Sequence, residues 1–187
     1  MEVEMIPTLE ADEYAGEQWL YEPHVYMPYR YVLGRPGKKP LVCIGINPST
    51  AQPGALDPTL KSVERLAKNN GFDSWIMFNV YPQRATDPND MDKEPDMELH
   101  KENLRWLKAM LNETEPTMWA AWGTLVEKRP YLPGMMRDMV ELTREKNVPW
   151  VHIGKISKKG HPHHPLYLRK DAVPEPFDMD HYLDTCF

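Results

Sequence analysis

Three short stretches concentrate the side chains that can do chemistry. The first is Gly45-Ile-Asn-Pro-Ser-Thr-Ala51, which overlaps the end of the apolar run at residues 41–46. A side-chain amide both donates and accepts, so Asn47 can hold a water or read a planar, amide-like base. A plain Asn-Pro turn would use the same two residues. The second is Asn79-Val-Tyr-Pro-Gln-Arg-Ala-Thr-Asp-Pro88. Asn79 lies at the end of an otherwise apolar run, and a buried amide costs roughly 1–3 kcal/mol when unpaired. It therefore needs a partner, either a ligand or neighbouring backbone. Arg84 and Asp87 follow between prolines, as direct functional groups or as an ion pair that closes a rigid loop. The third is Gly160-His-Pro-His-His-Pro-Leu-Tyr-Leu-Arg169. Three histidines and two prolines in a basic loop are hard to explain by packing. An imidazole can donate to a developing anion or shuttle a proton near neutral pH. His161, His163 and His164 lack a metal-ligand spacing and have no Cys or acid beside them, so no metal site is expected. A further short stretch, Trp122-Gly123-Thr124, carries a glycine that admits close approach of a ligand or simply turns a strand into a helix.

Alternating strands and helices must position these stretches. Residues 25–33 are rich in Tyr and Val and predict an edge strand. Short apolar runs at 41–46, 74–80, 117–122 and 148–153 predict strands buried on both faces. Between them, Asp57 or Thr59 can cap a helix with Leu60, Val63, Leu66 and Ala67 on one face, ended by Gly71. Asp96 can cap another carrying Leu99, Leu104, Leu107 and Leu111, and Met136, Met139, Val140 and Thr143 mark a third. The alternation predicts an α/β fold: a three-layer α/β/α domain around a central, mostly parallel sheet of four to five strands. In such sheets ligands bind beyond the carboxyl ends of the strands. The chemistry-bearing stretches fall there.

The 187 residues, 41% apolar, suit a single domain with a core at about 24–170 and terminal extensions. A net charge of −6 speaks against a protein that coats nucleic acid generally. Residues 24–56 and 154–170 nevertheless contain Lys and Arg and no acid, while acids concentrate in residues 87–115. This gives a local basic face on an acidic body, or ordinary solvated surface. No apolar run approaches the roughly 20 residues of a membrane span. Residues 1–18 are acidic and lack the basic start and apolar stretch of a signal peptide, so a cytoplasmic protein is expected. Cys43 and Cys186 fit a reducing compartment. Two cysteines fall short of the four that usually hold an iron–sulfur cluster, and no cofactor is expected.

Taken together, the loops resemble the uracil-DNA glycosylase superfamily. Gly45-Ile-Asn-Pro48 is similar to the G-I-N-P loop of its mismatch-specific branch. Phe78-Asn-Val80 followed by Arg84, and His164-Pro-Leu-Tyr-Leu-Arg169, look like segments of its thermophile-type branch. Leu166 stands where those enzymes usually have Ser, and no aspartate follows Gly45. A closer resemblance is to a bacterial and phage family defined only as a domain of unknown function. Its signatures match Asn47-Pro-Ser-Thr-Ala51, Asp57-Pro-Thr59, the Asn79 to Pro88 segment, Ala121-Trp-Gly123 and residues 160–168, in order.

The glycosylase resemblance implies a uracil-DNA glycosylase-like fold and hydrolysis of the N-glycosidic bond of a flipped, uracil-like or modified base. It implies His164 as donor to the departing base, Asn47 as the group placing water, and Asn79 as reader of the base edge. Gly45, Ile46, Pro48 and Ser49 would help form the base pocket, and Asp57 is a reserve for water activation beside its role as a helix cap. His161 is the second candidate donor, because using His161-Pro162 breaks the register of Tyr167, Leu168 and Arg169. Arg84, Lys158, Lys159 and Arg169 would contact phosphates. The expected partner is DNA or a nucleotide carrying a modified base, bound by a monomer, with no membrane. The rival reading is a pocket on the same scaffold that binds a nucleotide or modified base without cleaving it.

Overall fold

A computed structural model of the chain describes residues 5–187; residues 1–4, the start of the acidic N-terminal segment, lie outside the described residues. The strongest determinant of the fold is the period-2 pattern of its inner strands. In β4 (Pro40–Gly45), Val42 and Ile44 enter one core, and Leu41 and Cys43 enter the other. β5 (Ser74–Asn79) divides Ile76 and Phe78 from Trp75 and Met77 in the same way. β6 (Thr117–Ala120) divides Met118 and Ala120 from Trp119. A strand apolar on both faces must be covered on both faces. Here α1 (Pro58–Asn69) supplies one cover through Leu60, Val63, Leu66 and Ala67. α2 (Met97–Glu113), α3 (Leu132–Glu145) and α4 (Met179–Cys186) supply the other, through residues including Leu107, Met136, Met139 and Leu183. Asp57 and Asp96 cap α1 and α2 as their spacing predicts, accepting from Leu60 N and Glu98 N.

The sheet departs from the expected one. It has eight strands in the order β1-β2-β3-β5-β4-β6-β7-β8, with β1 (Asp12–Tyr14), β2 (Glu17–Glu22), β3 (Val32–Gly34), β7 (Trp150–Ile153) and β8 (Pro174–Pro176) completing it. Four of its seven pairings are antiparallel. The expectation of a central, mostly parallel sheet of four to five strands, uracil-DNA glycosylase-like, is therefore corrected to a mixed eight-stranded sheet. The reason is that continuous apolar runs reveal only strands buried on both sides. The added strands are short or interrupted by charge, as in Glu-Gln-Trp-Leu-Tyr-Glu of β2 and Pro-Glu-Pro of β8. β3 is also no edge: it spans Val32–Gly34 and is hydrogen-bonded on both sides, to β2 and β5.

Candidate functional site

Chain order places the cavity. β4 has β5 on one side and β6 on the other, all three parallel. The connection from β4 to β5 runs over one face through α1, and that from β5 to β6 over the other through α2. Connections that leave a strand end to opposite faces open a crevice there, the usual place for a ligand in a doubly covered sheet. A cavity of about 330 Å³ occupies this position. Gly45, Ile46, Asn47, Pro48 and Ser49 form one wall, and Asn79 and Met77 a second. The first turn of α1, from Asp57 to Leu60, and the loop segment His164-Pro165-Leu166 close it.

The two strand-end loops hold each other. Asn47 Nδ2 donates to Pro48 O (3.1 Å) and to Ala85 O (2.8 Å), and Ala85 N donates back to Pro48 O (2.8 Å). Ser49 Oγ and Thr86 Oγ1 lie 3.0 Å apart. Both amide protons of Asn47 are therefore engaged by backbone, which leaves Oδ1 as its working atom, an acceptor. Arg84 also works inward. Its guanidinium donates to Ser49 O (2.8 Å), Ala51 O (3.0 Å) and Tyr21 Oη (3.0 Å) and stacks 3.9 Å over the Tyr26 ring. Arg84 and Asp87 form no ion pair; Asp87 instead accepts from Asn89 N (2.9 Å).

Asn79 is 1% exposed, and neither its Nδ2 nor its Oδ1 has a hydrogen-bond partner. Its main-chain oxygen accepts from Asn103 Nδ2 (2.8 Å). Gly45, its register partner on β4, makes room for the amide: a Cβ there would lie 3.0 Å from Asn79 Oδ1 and 2.8 Å from Met77 Cε. Across the cavity, the His164 loop is docked on α1 by Ser62 Oγ, which donates to Pro165 O (2.7 Å). Leu166 N donates to His164 Nδ1 (3.2 Å). An Nδ1 that accepts places the proton of the neutral ring on Nε2, so backbone fixes the tautomer. Burial, and then the neighbouring His163, hold the His164 pKa below its ordinary value, with Asp57 acting in the opposite sense. His164 is thus a neutral donor through Nε2. Asp57 Oδ1 caps α1 by accepting from Leu60 N (2.9 Å), so helix cap and cavity wall are one residue.

The remaining sequence candidates lie elsewhere. His161 is 2% exposed and packs beneath α4, with Nδ1 2.8 Å from Tyr182 Oη. Lys159 reaches toward Glu127 (3.4 Å), Arg169 pairs with Asp171 (3.0 Å), and Lys158 is exposed. None of these four lines the cavity. Among the described residues, no group of three or more His, Cys, Asp or Glu side chains is arranged to hold a metal ion, and no helix is long and apolar enough to cross a membrane. A larger groove of about 660 Å³ runs along α1, β2 and β5 and contains none of the candidates.

Sequence reasoning passed over Arg30. It lines the cavity at 2% exposure, donates from Nη1 to Ala51 O (3.1 Å), and leaves Nε without a partner. Burial, reinforced by nearby Arg84 and opposed by Asp57, pushes its pKa down to about 10. Its one sequence signal was a lone arginine among the Tyr and Val of residues 25–33.

These features define a mixed, helix-covered sheet whose strand-end cavity has a mostly apolar lining set with a few polar side chains. The chain belongs to the family described as "Protein of unknown function (DUF1643)", which matches residues 30–166, a span that contains every residue lining the cavity. No curated protein matches the chain. No solved structure matches it either.

Proposed function

We propose that this cavity binds a uracil-like or otherwise modified base and hydrolyses its N-glycosidic bond. One observation carries the reading: a buried side-chain amide, Asn79, with both of its polar ends unpartnered at the wall of a cavity. Left so, the amide is a standing penalty of roughly 1–3 kcal/mol. A planar imide edge, with an N–H beside a carbonyl, satisfies donor and acceptor together. As the C1′–N bond breaks, its electron pair passes to the base, and His164 Nε2–H donates to the oxygen on which that charge accumulates. Water held by the free Oδ1 of Asn47 adds to the oxocarbenium-like C1′. Its proton passes to the Asp57 carboxylate, whose Oδ1 alone is engaged in the helix cap. The products are the free base and a sugar bearing a C1′ hydroxyl.

The test is a panel of oligonucleotides and free nucleosides carrying uracil, hydroxymethyluracil, hypoxanthine and larger modified bases, with released base read by chromatography. Release from at least one member, abolished in Asn79→Leu, is expected. Binding without release across the panel would sink the hydrolytic half.

A second reading, binding without cleavage, has its own support. No Phe, Tyr or Trp ring is among the cavity-lining residues for a base to stack against. Arg84, Lys159 and Arg169 are engaged within the protein rather than held free for phosphates.

A further inference from the structure

The cavity holds a cation that the chemistry proposed above does not use. Arg30 is nearly fully buried and pairs with no acid among the described residues; its Nε has no partner, and its guanidinium donates from Nη1 to Ala51 O. That carbonyl is already served by Arg84 Nη1 at 3.0 Å, so Arg30 is not needed to satisfy it. A guanidinium offers five donors, and burying a charge without a counter-ion is strongly unfavourable. Asp57 is the acid that shares the cavity with it, but its Oδ1 is turned to Leu60 N. Pro58, Thr59 and Leu60 line the same cavity, so the positive end of the α1 dipole adds to the field of Arg30. Lys158, Lys159 and Arg169, the loop cations expected to meet phosphates, are outside it.

We infer that Arg30 is an anion anchor, and that the ligand carries an anionic group, phosphate or carboxylate, into the cavity beside the base read by Asn79. This deepens the base-recognition reading and rests on it for the base, but not for cleavage. A side chain 2% exposed cannot reach out to the backbone of a duplex, so the anion comes in with the ligand. Two sources fit: the phosphate of a nucleotide, or a carboxylate on a modified base. Both offer the paired oxygens that a guanidinium engages in two parallel hydrogen bonds.

The experiment measures binding and thermal unfolding of the full chain with inorganic phosphate, uridine, uridine 5′-monophosphate, uracil and 5-carboxyuracil. Wild type is compared with Arg30→Met and Arg30→Lys. In wild type an anionic probe should bind about 10- to 100-fold more tightly than its neutral counterpart, the span of a charge-assisted hydrogen bond. Preference for the monophosphate over uridine assigns phosphate, and preference for 5-carboxyuracil over uracil assigns carboxylate. Arg30→Met should erase that preference, leave neutral-probe affinity within about threefold, and unfold no earlier than wild type when free. Arg30→Lys should restore part of the preference. The inference is overturned if no anion, inorganic phosphate included, affects wild type. It is equally overturned if anions act alike on wild type and Arg30→Met, or if Arg30→Met unfolds early and loses neutral and anionic probes together, as a structural clamp would. Anion binding through Arg30 with no base released from any oligonucleotide or nucleoside defeats hydrolysis and leaves the anchor standing. Base release from an anionic substrate that is unchanged by Arg30→Met does the reverse.

Discussion

His161 and His164 lie three residues apart in one loop, each followed by proline, and the fold puts them in opposite situations. His161 is consumed by structure. Trp122 Nε1 donates to Tyr182 Oη (2.8 Å), so the phenol's own proton is directed to His161 Nδ1 (2.8 Å), and Glu127 stands 3.7 Å from the other ring nitrogen. Every polar atom there is turned toward protein, and Phe187 and Tyr182 pack on the ring. His164 has one nitrogen held by the Leu166 amide and the other left for the cavity. One imidazole fastens the loop to α4, and a second, three residues on, lines the cavity with its tautomer fixed by backbone.

The sharpest way to break this division is to exchange the losses. On a substrate that releases its base, His164→Ala should lose roughly 10²–10³ in rate, the usual consequence of removing a preorganised donor to a developing oxyanion, with little change in the urea midpoint. His161→Ala should keep most of that rate and unfold earlier. A dead His161→Ala beside a nearly normal His164→Ala would reverse the assignment. Next in size is Tyr182→Phe. Removing one hydroxyl leaves Trp122 Nε1 and His161 Nδ1 both buried without a partner, so a loss of about 1–3 kcal/mol is expected in urea unfolding, with turnover retained. An unchanged midpoint would mean the phenol is incidental to how α4 is held.

Asn79→Leu sharpens the same contrast on the opposite wall. Asn79 is buried although neither end of its amide has a partner. Leucine of similar volume should therefore leave the free protein at least as stable as wild type, by up to about 1 kcal/mol in chemical unfolding, while base binding is lost. A clear drop in stability would show that the amide serves the fold.

Much of this was legible in the residues, and the failures have physical causes. Asp57 was readable as a cap because a carboxylate before Pro-Thr-Leu suits the first turn of a helix, and the strand-end loops stood out because their polar residues follow runs that must be buried. That backbone takes up both amide protons of Asn47 was not legible, since Ala85 O, the acceptor of one of them, is 38 residues away in sequence. Arg84 was read as a phosphate contact because a charge count cannot distinguish a guanidinium facing water from one bonded to two loop carbonyls and the Tyr21 hydroxyl of β2. Arg30 was missed for the same reason. The antiparallel part of the sheet was missed because Trp19, Leu20 and Tyr21 are flanked by Glu17, Gln18 and Glu22, which hides a short buried strand inside a polar segment.

The finest distinction between the two histidines is electrostatic, and its effect is the smallest. Burial is the main cause that holds the His164 pKa below the ordinary 6.5, His163 adds to it, and Asp57 opposes both. His163 Nδ1 is bonded to His164 O, which keeps the like-charged ring close. The two neighbours can therefore be removed with opposite results. His163→Gln should raise the His164 pKa toward, but not to, the ordinary value, because burial remains. Asp57→Asn keeps a good helix cap and should lower it further. Both changes are readable in the NMR titration of the His164 Cε1 proton. The linkage has a definite sign: the folded protein binds the His164 proton less readily than the unfolded chain does. Its contribution to stability is therefore complete above about pH 6.5 and is lost as pH falls from there through the depressed folded value. Asp57→Asn should widen that window on its acid side, and His163→Gln should narrow it. Shifts of the same sign in both variants would mean that the two neighbours do not act on the ring through opposing charges, and would leave burial as the main control on His164.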